Sequence, residues 1–424
     1  MVGWAELPRS PGHAFHDRLQ AVLIEAGFDG FAERRCAAHC AGKRGRPPLP
    51  PGRSFRMHLI GYFEGIDSER GLEWRCADSL PLREFLRLGT TEPVPDPSWL
   101  SRTRSRLPLE VHATIFVWVL QRLAEHGLTQ GDRIGVDAST IEANAALRAI
   151  VRRDSGPTGS LGRAGSLRDR IDGAAVDGYR EMLERLAKAS GIATPTAGDL
   201  IRLAYKPEHA VDLDTGAIAA AAIHPADQGD TTTLPGTLGA AAANLATVDA
   251  APTREAPAEL VADKGHHSRD GLKELEDSAR KSRIAGNKAP DVHRWHGDMQ
   301  ARRAVDNNRL RLRSGVAKEA FKRRAELVER SFALTLDRGG MRRSWLRGRE
   351  NLHKRYLVHV AGYDLGLIMR LLAGAGTPRE FTARVAAHLM VLIAAEGAAI
   401  VILAAATDTE AAMLAVSVEP QPID

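Results

Sequence analysis

The repeat of the apolar residues changes at Arg133, and this divides the chain into a helical part and a part built around strands. Upstream, Phe55, Leu59, Tyr62 and Phe63 recur at helical spacing, as do Phe116, Val119, Leu120 and Leu123. From Arg133 the repeat shortens to two. Ile134, Val136 and Ala138 alternate with Gly135, Asp137 and Ser139, which puts Asp137 on the strand face opposite Ile134 and Val136. Further on, His209–Leu213, the turn Asp214-Thr-Gly216 and the run Ala217–His224 read as a β-hairpin. A helix is predicted after Asp230-Thr-Thr-Thr, carrying Leu238, Ala241 and Leu245, and the short apolar strand Leu260-Val-Ala262 delivers Asp263 at its end. Phe321, Ala325, Val328 and Phe332 then form a helical stripe with Glu329 at its edge, placed to point into a cleft.

These elements divide the 424 residues into three regions, within the length that supports two or three cores. Residues 1–130 are expected to form a helical domain, broken by the Pro-rich run Arg46–Arg53, with a turn at Asp96-Pro-Ser-Trp-Leu leading into a helix near Ser98. Its Arg102, Arg104 and Arg106 read equally as a DNA-facing set or a solubilising face. Residues 131–372 hold the strands, with a Gly/Ser/Arg-rich connector or insertion at about 152–203, and 373–424 are an Ala-rich helical segment. Val385 to about Ala406 is long enough to span a bilayer. Glu396 near its middle and the absence of a flanking basic cluster favour a packed or oligomer-forming helix instead.

The net charge of +5 is unevenly spread. Arg280–Arg355 carries 22 Lys and Arg against 8 Asp and Glu, a field suited to a polyanion such as DNA. Three cysteines make no disulfide framework, and the N-terminus lacks a signal-peptide pattern, so a reducing cytoplasm is expected. Cys36, His39 and Cys40 resemble half of a zinc site without a second Cys/His pair at suitable spacing.

Asp137, Asp263 and Glu329 are the candidate catalytic and metal-binding residues. Phosphodiester chemistry needs a deprotonated water or 3′-hydroxyl and charge relief at the leaving oxygen, which two divalent ions supply together. Mg²⁺ or Mn²⁺ takes hard oxygen ligands, and a few carboxylates from separate elements are enough to hold it. Each acid alone reads as readily as a turn, cap or surface charge. Glu326 and Glu350 compete for the third place.

The words around these acids carry a resemblance. Gly135-Val-Asp-Ala-Ser-Thr-Ile-Glu-Ala-Asn144, His209-Ala-Val-Asp-Leu-Asp-Thr-Gly-Ala217, Asp227-Gln-Gly-Asp-Thr-Thr232, Val261-Ala-Asp-Lys-Gly265 and Val328-Glu-Arg-Ser-Phe332 resemble, in this order, bacterial insertion-sequence transposases of the DDE type. Gly61-Tyr-Phe-Glu-Gly65, Ala77-Asp-Ser-Leu80 and Leu100-Ser-Arg-Thr-Arg104 are similar to the helical domain that precedes their catalytic core. The resemblance spans roughly residues 45–375. It implies an α/β fold: an RNase H-like mixed sheet flanked by helices, between a helical N-terminal domain and a helical C-terminal segment. It also implies that Asp137, Asp263 and Glu329, separated by 126 and 66 residues, hold two Mg²⁺ or Mn²⁺ ions.

The implied activity is binding of terminal inverted repeats, cleavage of the element ends and strand transfer to target DNA, in a homodimer or higher synaptic complex at the cytoplasmic nucleoid. The DNA-contacting candidates are Lys264, His267, Arg323, Arg324, Arg330, Arg342, Arg343, Arg347 and Lys354, with Trp295 and Trp345 read either as stacking platforms or as core. The chain departs from the resembling proteins in an abbreviated segment at 154–205 and lacks a clean Tyr/Arg/Lys pattern around Glu329. The rival readings are a catalytically silent, DNA-binding transposase remnant or domesticated regulator, and a metal-dependent nuclease that does not join.

Overall fold

The structure is a computed structural model that describes residues 14–40, 49–89, 91–143, 204–286, 295 and 297–391. The connector expected at 152–203, and the C-terminal segment beyond 391, lie outside the described residues.

Among the described residues seven α-helices precede the first strand: α1 (Ala14–Glu25), α2 (Phe28–Cys36), α3 (Pro51–Glu64), α4 (Glu69–Ala77), α5 (Leu80–Phe85), α6 (Pro97–Arg106) and α7 (Leu109–Glu125). Local chemistry sets several of their starts. Asp96 accepts the Ser98 and Trp99 amides at 2.9 and 3.1 Å, so α6 begins beside the expected position, and Ser68 caps α4 in the same way. In α3 nearly every residue is buried, and the apolar ring of α1–α7 includes Phe15, Leu19, Phe28, Phe55, Ile60 and Leu120. A buried charge ties this region together: Arg56, 1% exposed, donates to Asp29 Oδ1 and Oδ2 at 2.8 and 3.0 Å and to the Phe85 carbonyl at 3.1 Å. An arginine fork can be buried because both carboxylate oxygens meet it.

The strands are β1 (Arg133–Ala138), β2 (Ile141–Ala143), β3 (Ala204–Asp212) and β4 (Ile218–Pro225); after helix α8 (Asp230–Ala246) comes β5 (Ala258–Ala262), and after α9 (Arg269–Glu276) comes β6 (Arg280–Ile284). They pair in the order β4-β3-β1-β5-β6, with β3 antiparallel to both of its neighbours β4 and β1, and with β1, β5 and β6 parallel. The short β2 adds to β3 and to β7 (Arg343–Ser344). The hairpin turn is built on Asp212, which is fully buried and accepts the amides of Gln130, Gly131, Asp214 and Thr215.

Helices cover both faces. On one, Ile134, Val136, Ala210, Leu260 and Ala262 pack with α8, α9 and α10 (Met299–Leu312). On the other lie α11 (Gly315–Phe332) and the long α12 (Arg349–Ala373). Gly135 makes room for α11: a Cβ there would stand 2.6 Å from Leu213 Cδ2 and 3.1 Å from Val328 Cγ2. Most of α12 is buried because it packs on α3 and α7 on one side and on β4 on the other. The core on this face therefore runs without a break from Phe15 to Met369, across the boundary expected at residue 130. The mixed α/β architecture with a preceding helical region is as the sequence predicts.

Among the described residues one helical stretch, Arg349–Val391, is long and apolar enough to cross a membrane, and 67% of its most apolar window is buried inside the protein.

Candidate active site at the ends of β1 and β5

The β1–β5 register runs Arg133↔Glu259, Ile134↔Leu260, Gly135↔Val261. Continued by two residues it sets Asp137 beside Asp263, at the carboxyl ends of neighbouring parallel strands. Val261 and Gly135 face α11, and with a period of two Asp137 and Asp263 share that face. The sequence thus brings these two acids together across 126 residues.

Each carboxylate is held by different chemistry. Asp137 Oδ1 accepts the Ala138 amide at 2.8 Å, and Oδ2 lies 2.9 Å from the Arg324 guanidinium. Burial raises its pKa above the ordinary range, against the pull of Arg324, and the neighbouring Asp263 charge adds to the rise. Asp263 is more open, and its Oδ1 accepts from Gly265 N at 3.0 Å and His266 Nδ1 at 2.8 Å, leaving Oδ2 for a cation. Burial works to raise its pKa too, but the His266 hydrogen bond and charge prevail and hold it below the ordinary value. Two adjacent acids are thus pushed in opposite directions, as their partners require.

Arg324 comes from α11. It is 9% exposed, and its Nε donates to the Val136 carbonyl at 3.0 Å while the same guanidinium meets Asp137. Glu329, on the same helix, is exposed. Five residues apart on an ideal helix the two side chains diverge by about 140°, so the inner position facing Asp137 belongs to Arg324. No described interaction joins Glu329 to Asp137 or Asp263, and the cleft-facing position expected for it is not what the structure shows. Glu326, also exposed, pairs with Arg330, and Glu350 pairs with Lys354 at 2.7 Å.

The back of the site was less visible in the sequence. Glu208 on β3 faces α8, is fully buried, and accepts from Thr233 Oγ1 at 2.9 Å and from Thr237 Oγ1. His224 and His266 each bring Nε2 to 3.6 Å from it. Desolvation opposes its charge, yet these donors hold its pKa far below the usual carboxylate range. His266, 2% exposed, reaches around the strand end and links Glu208 to Asp263; its pKa is raised because the two carboxylates outweigh the burial that would lower it. Gly265 permits this loop, since a Cβ there would strike the Asp230 carboxylate.

Glu208, Asp230 and His266 place ligand atoms within 4.8 Å of one another, a geometry open to a metal ion. The Lys206 ammonium already lies 2.6 Å from Asp230 Oδ1 and 2.9 Å from Thr233 Oγ1, so a divalent ion there would meet a positive charge. On the α11 face, next to Asp137 in the β1–β3 register, His209 bridges Ser331 Oγ at 2.8 Å and the Tyr356 hydroxyl at 2.7 Å and stacks on Phe332. Complete burial pushes its pKa down to about 3, so it is a neutral strut.

The basic candidates separate by burial. Lys264 is exposed directly after Asp263, with His267 half-buried beyond it. Arg342 rims the site: it meets both Asp337 oxygens at 2.8 and 2.9 Å and donates to Ser139 Oγ at 3.2 Å, two residues past Asp137. Arg343, Arg347 and Arg330 are exposed. Three candidates do not fit an open DNA-contacting role. Lys354 is buried and paired with Glu350, and Arg324 is taken by Asp137. Arg323 reaches the Asp214 carbonyl at 3.3 Å, beside the start of β1 and at the opposite end of the strand from Asp137. Arg104 is likewise buried on Glu69. The tally of 22 cations counted groups that the fold had already neutralised, Arg283 with Glu259 and Arg311 with Glu276 among them. Trp345 is 56% exposed and stands by the Arg343 guanidinium, 5.5 Å from its ring centre, so it is no core residue.

In comparison with known protein families, residues 9–106 fit a family described as a transposase domain (DUF772). The match coincides with the helical region α1–α6 and supports an insertion-sequence transposase. Neither the curated proteins nor the solved structures gave a match.

Proposed function

We propose that this chain, with a transposase domain at its N-terminal end, is a DDE-type insertion-sequence transposase whose catalytic carboxylates are Asp137, Asp263 and Glu329. The observation that carries the reading is the pairing of Asp137 with Asp263 at the ends of parallel β1 and β5. The strand order β4-β3-β1-β5-β6, with helices on both faces, supports an RNase H-like core. Glu329 enters on resemblance and on its place in α11, the helix that already touches Asp137 through Arg324. Its carboxylate is exposed and turned away from the position Arg324 holds, so its part in the site rests on the resemblance.

The residues present suit hard divalent cations. Asp263 has no described hydrogen bond at Oδ2, and Asp137 meets the Arg324 guanidinium and a single backbone amide rather than a backbone cage. Bound there, two Mg²⁺ or Mn²⁺ ions supply activation of the attacking water or 3′-hydroxyl and neutralisation of the departing oxygen. The protein fixes the carboxylates on rigid strand ends and lines the approach with Lys264, Arg342 and Arg343, whose charges hold the DNA backbone in register. Binding of terminal inverted repeats, cleavage and strand transfer follow in this reading, in at least a dimer because two element ends must meet, and in the cytoplasm where the nucleoid lies.

The test is a cleavage and strand-transfer assay with labelled element ends. Asp137→Ala and Asp263→Ala are expected to lose metal-dependent cutting, at least 10³-fold as an order-of-magnitude estimate for loss of a metal-centred transition-state interaction, while end binding stays within a few-fold. Cutting retained by either variant overturns the assignment. Cutting without joining would make the protein a nuclease, and end binding without cutting by the unaltered chain would make it a silent descendant.

A further inference from the structure

The two aspartates lie on one face of the sheet, and Glu208 lies on the other, joined to Asp263 only through His266. Nothing in the proposed chemistry requires a fully buried glutamate, yet Glu208 is surrounded by donors: Thr233 at 2.9 Å, Thr237, His224 and His266 at 3.6 Å. The imidazole at the centre has two different neighbours. Nδ1 is 2.8 Å from Asp263 Oδ1, and Nε2 points toward Glu208 Oε1 without a hydrogen bond of full quality. Nδ1 thus has a hydrogen-bond partner in Asp263, and Nε2 faces the Glu208 charge.

We infer that His266, oriented by Glu208, is a positioning residue that fixes the rotation of the Asp263 carboxylate and so sets the affinity of the site for its divalent ion. This rests on the proposed metal site and extends it beyond the ligands. The geometry defines the effect. With Oδ1 engaged by His266 and by Gly265 N, the carboxylate presents Oδ2 alone. A carboxylate free to rotate would lose that bias and some of the entropy gained by preorganisation. Lys206 and Asp230 complete the support: Lys206 Nζ bonds Asp230 and Thr233, the same threonine that donates to Glu208, so the second layer is itself anchored to α8.

Two substitutions separate positioning from bulk. Asn at 266 can place an amide N–H where Nδ1 stands, whereas Gln reaches toward the Nε2 position and leaves Asp263 Oδ1 with the Gly265 amide but without its side-chain partner. Mn²⁺ binding to the metal-free full chain, read by electron paramagnetic resonance, and the Mg²⁺ concentration dependence of end cleavage are the measurements. His266→Gln is expected to weaken Mn²⁺ binding about 10-fold or more, the usual cost of removing an outer-shell partner, with kcat at saturating metal within a few-fold of the unaltered protein. His266→Asn is expected to recover most of that loss. Glu208→Gln, which keeps the volume, is expected to weaken Mn²⁺ binding several-fold and offers a second reading should a His266 variant fold poorly. Equal Mn²⁺ affinity in folded His266→Gln and the unaltered chain overturns the inference, as does equal weakening in the Gln and Asn variants. Asp263→Ala, run alongside, reports on the parent reading by itself: Mn²⁺ affinity unchanged there would remove the metal site, while a loss there with none in His266→Gln would remove only the positioning role.

Discussion

At the scale of single residues, the site is organised by cations that stand beside acids. Arg324 is the clearest case. Its guanidinium, buried under α11, neutralises Asp137 while holding the Val136 carbonyl, and Asp263 feels the same charge. A divalent ion at Asp137 therefore competes with a resident cation. Arg324→Gln is expected to lower metal-free stability by about 1–3 kcal/mol, the range for a charge-assisted hydrogen bond in a largely buried setting. The same variant is expected to gain more from added Mn²⁺ than the unaltered protein does, because a ligand that binds only the folded state stabilises in proportion to its affinity. Thermal unfolding with and without Mn²⁺ measures both effects, and an identical metal-induced shift in the two proteins would show that Arg324 does not contest the site.

At the scale of elements, α12 holds the helical region to the sheet, and it carries a buried acid at the contact. Asp364 accepts the Ile218 amide at 3.0 Å, which lowers its pKa, but complete burial dominates and raises it well above the ordinary value. The sign follows. Below the unfolded pKa both states are protonated and the contribution to stability is fully present; as pH rises, the unfolded chain ionises first and stability is lost until the folded pKa is passed. Asp364→Asn keeps the acceptor for Ile218 and removes that ionisation. It is expected to be more stable than the unaltered protein at neutral pH, by a margin that grows from about pH 4 upward at up to about 1.4 kcal/mol per pH unit. Denaturant midpoints at several pH values test this, and a margin that does not change with pH contradicts it.

How much of these elements could be read in advance depended on the range of the interaction. The alternation Ile134-Gly-Val-Asp and the short run before Asp263 are local signals, and both strands formed where expected, as did the hairpin and α8. The caps Ser68 and Asp96 are equally local. Arg324 with Asp137, Glu208 with His266 and Asp364 with Ile218 join residues 187, 58 and 146 positions apart, and no periodicity announces them. Burial of cations escapes a sequence for a related reason: a count of charge places Lys354 on the surface, and a basic helix face does the same for Arg104, whereas both are buried against glutamates. Glu329 was placed by its stripe, but that stripe omitted Arg324, the polar residue that α11 turns inward.

At the scale of the molecule, a single core joins the transposase-domain region to the helices over the sheet. The helical region and the strands that carry the paired aspartates are thus packed together through α12. The exposed cations Lys264 and Arg342 rim the strand ends, Arg342 held there by Asp337 and Ser139, while Arg323 lies at the far end of β1 and Lys354 is buried on Glu350. The central claim is that the metal belongs between β1 and β5. The most direct measurement is the anomalous scattering of Mn²⁺ soaked into crystals of the full chain with a short element-end duplex. Density is expected within coordination distance, about 2.0–2.2 Å, of the Asp137 and Asp263 carboxylates. Density at Glu208, Asp230 and His266 instead, with none at the strand ends, would contradict it.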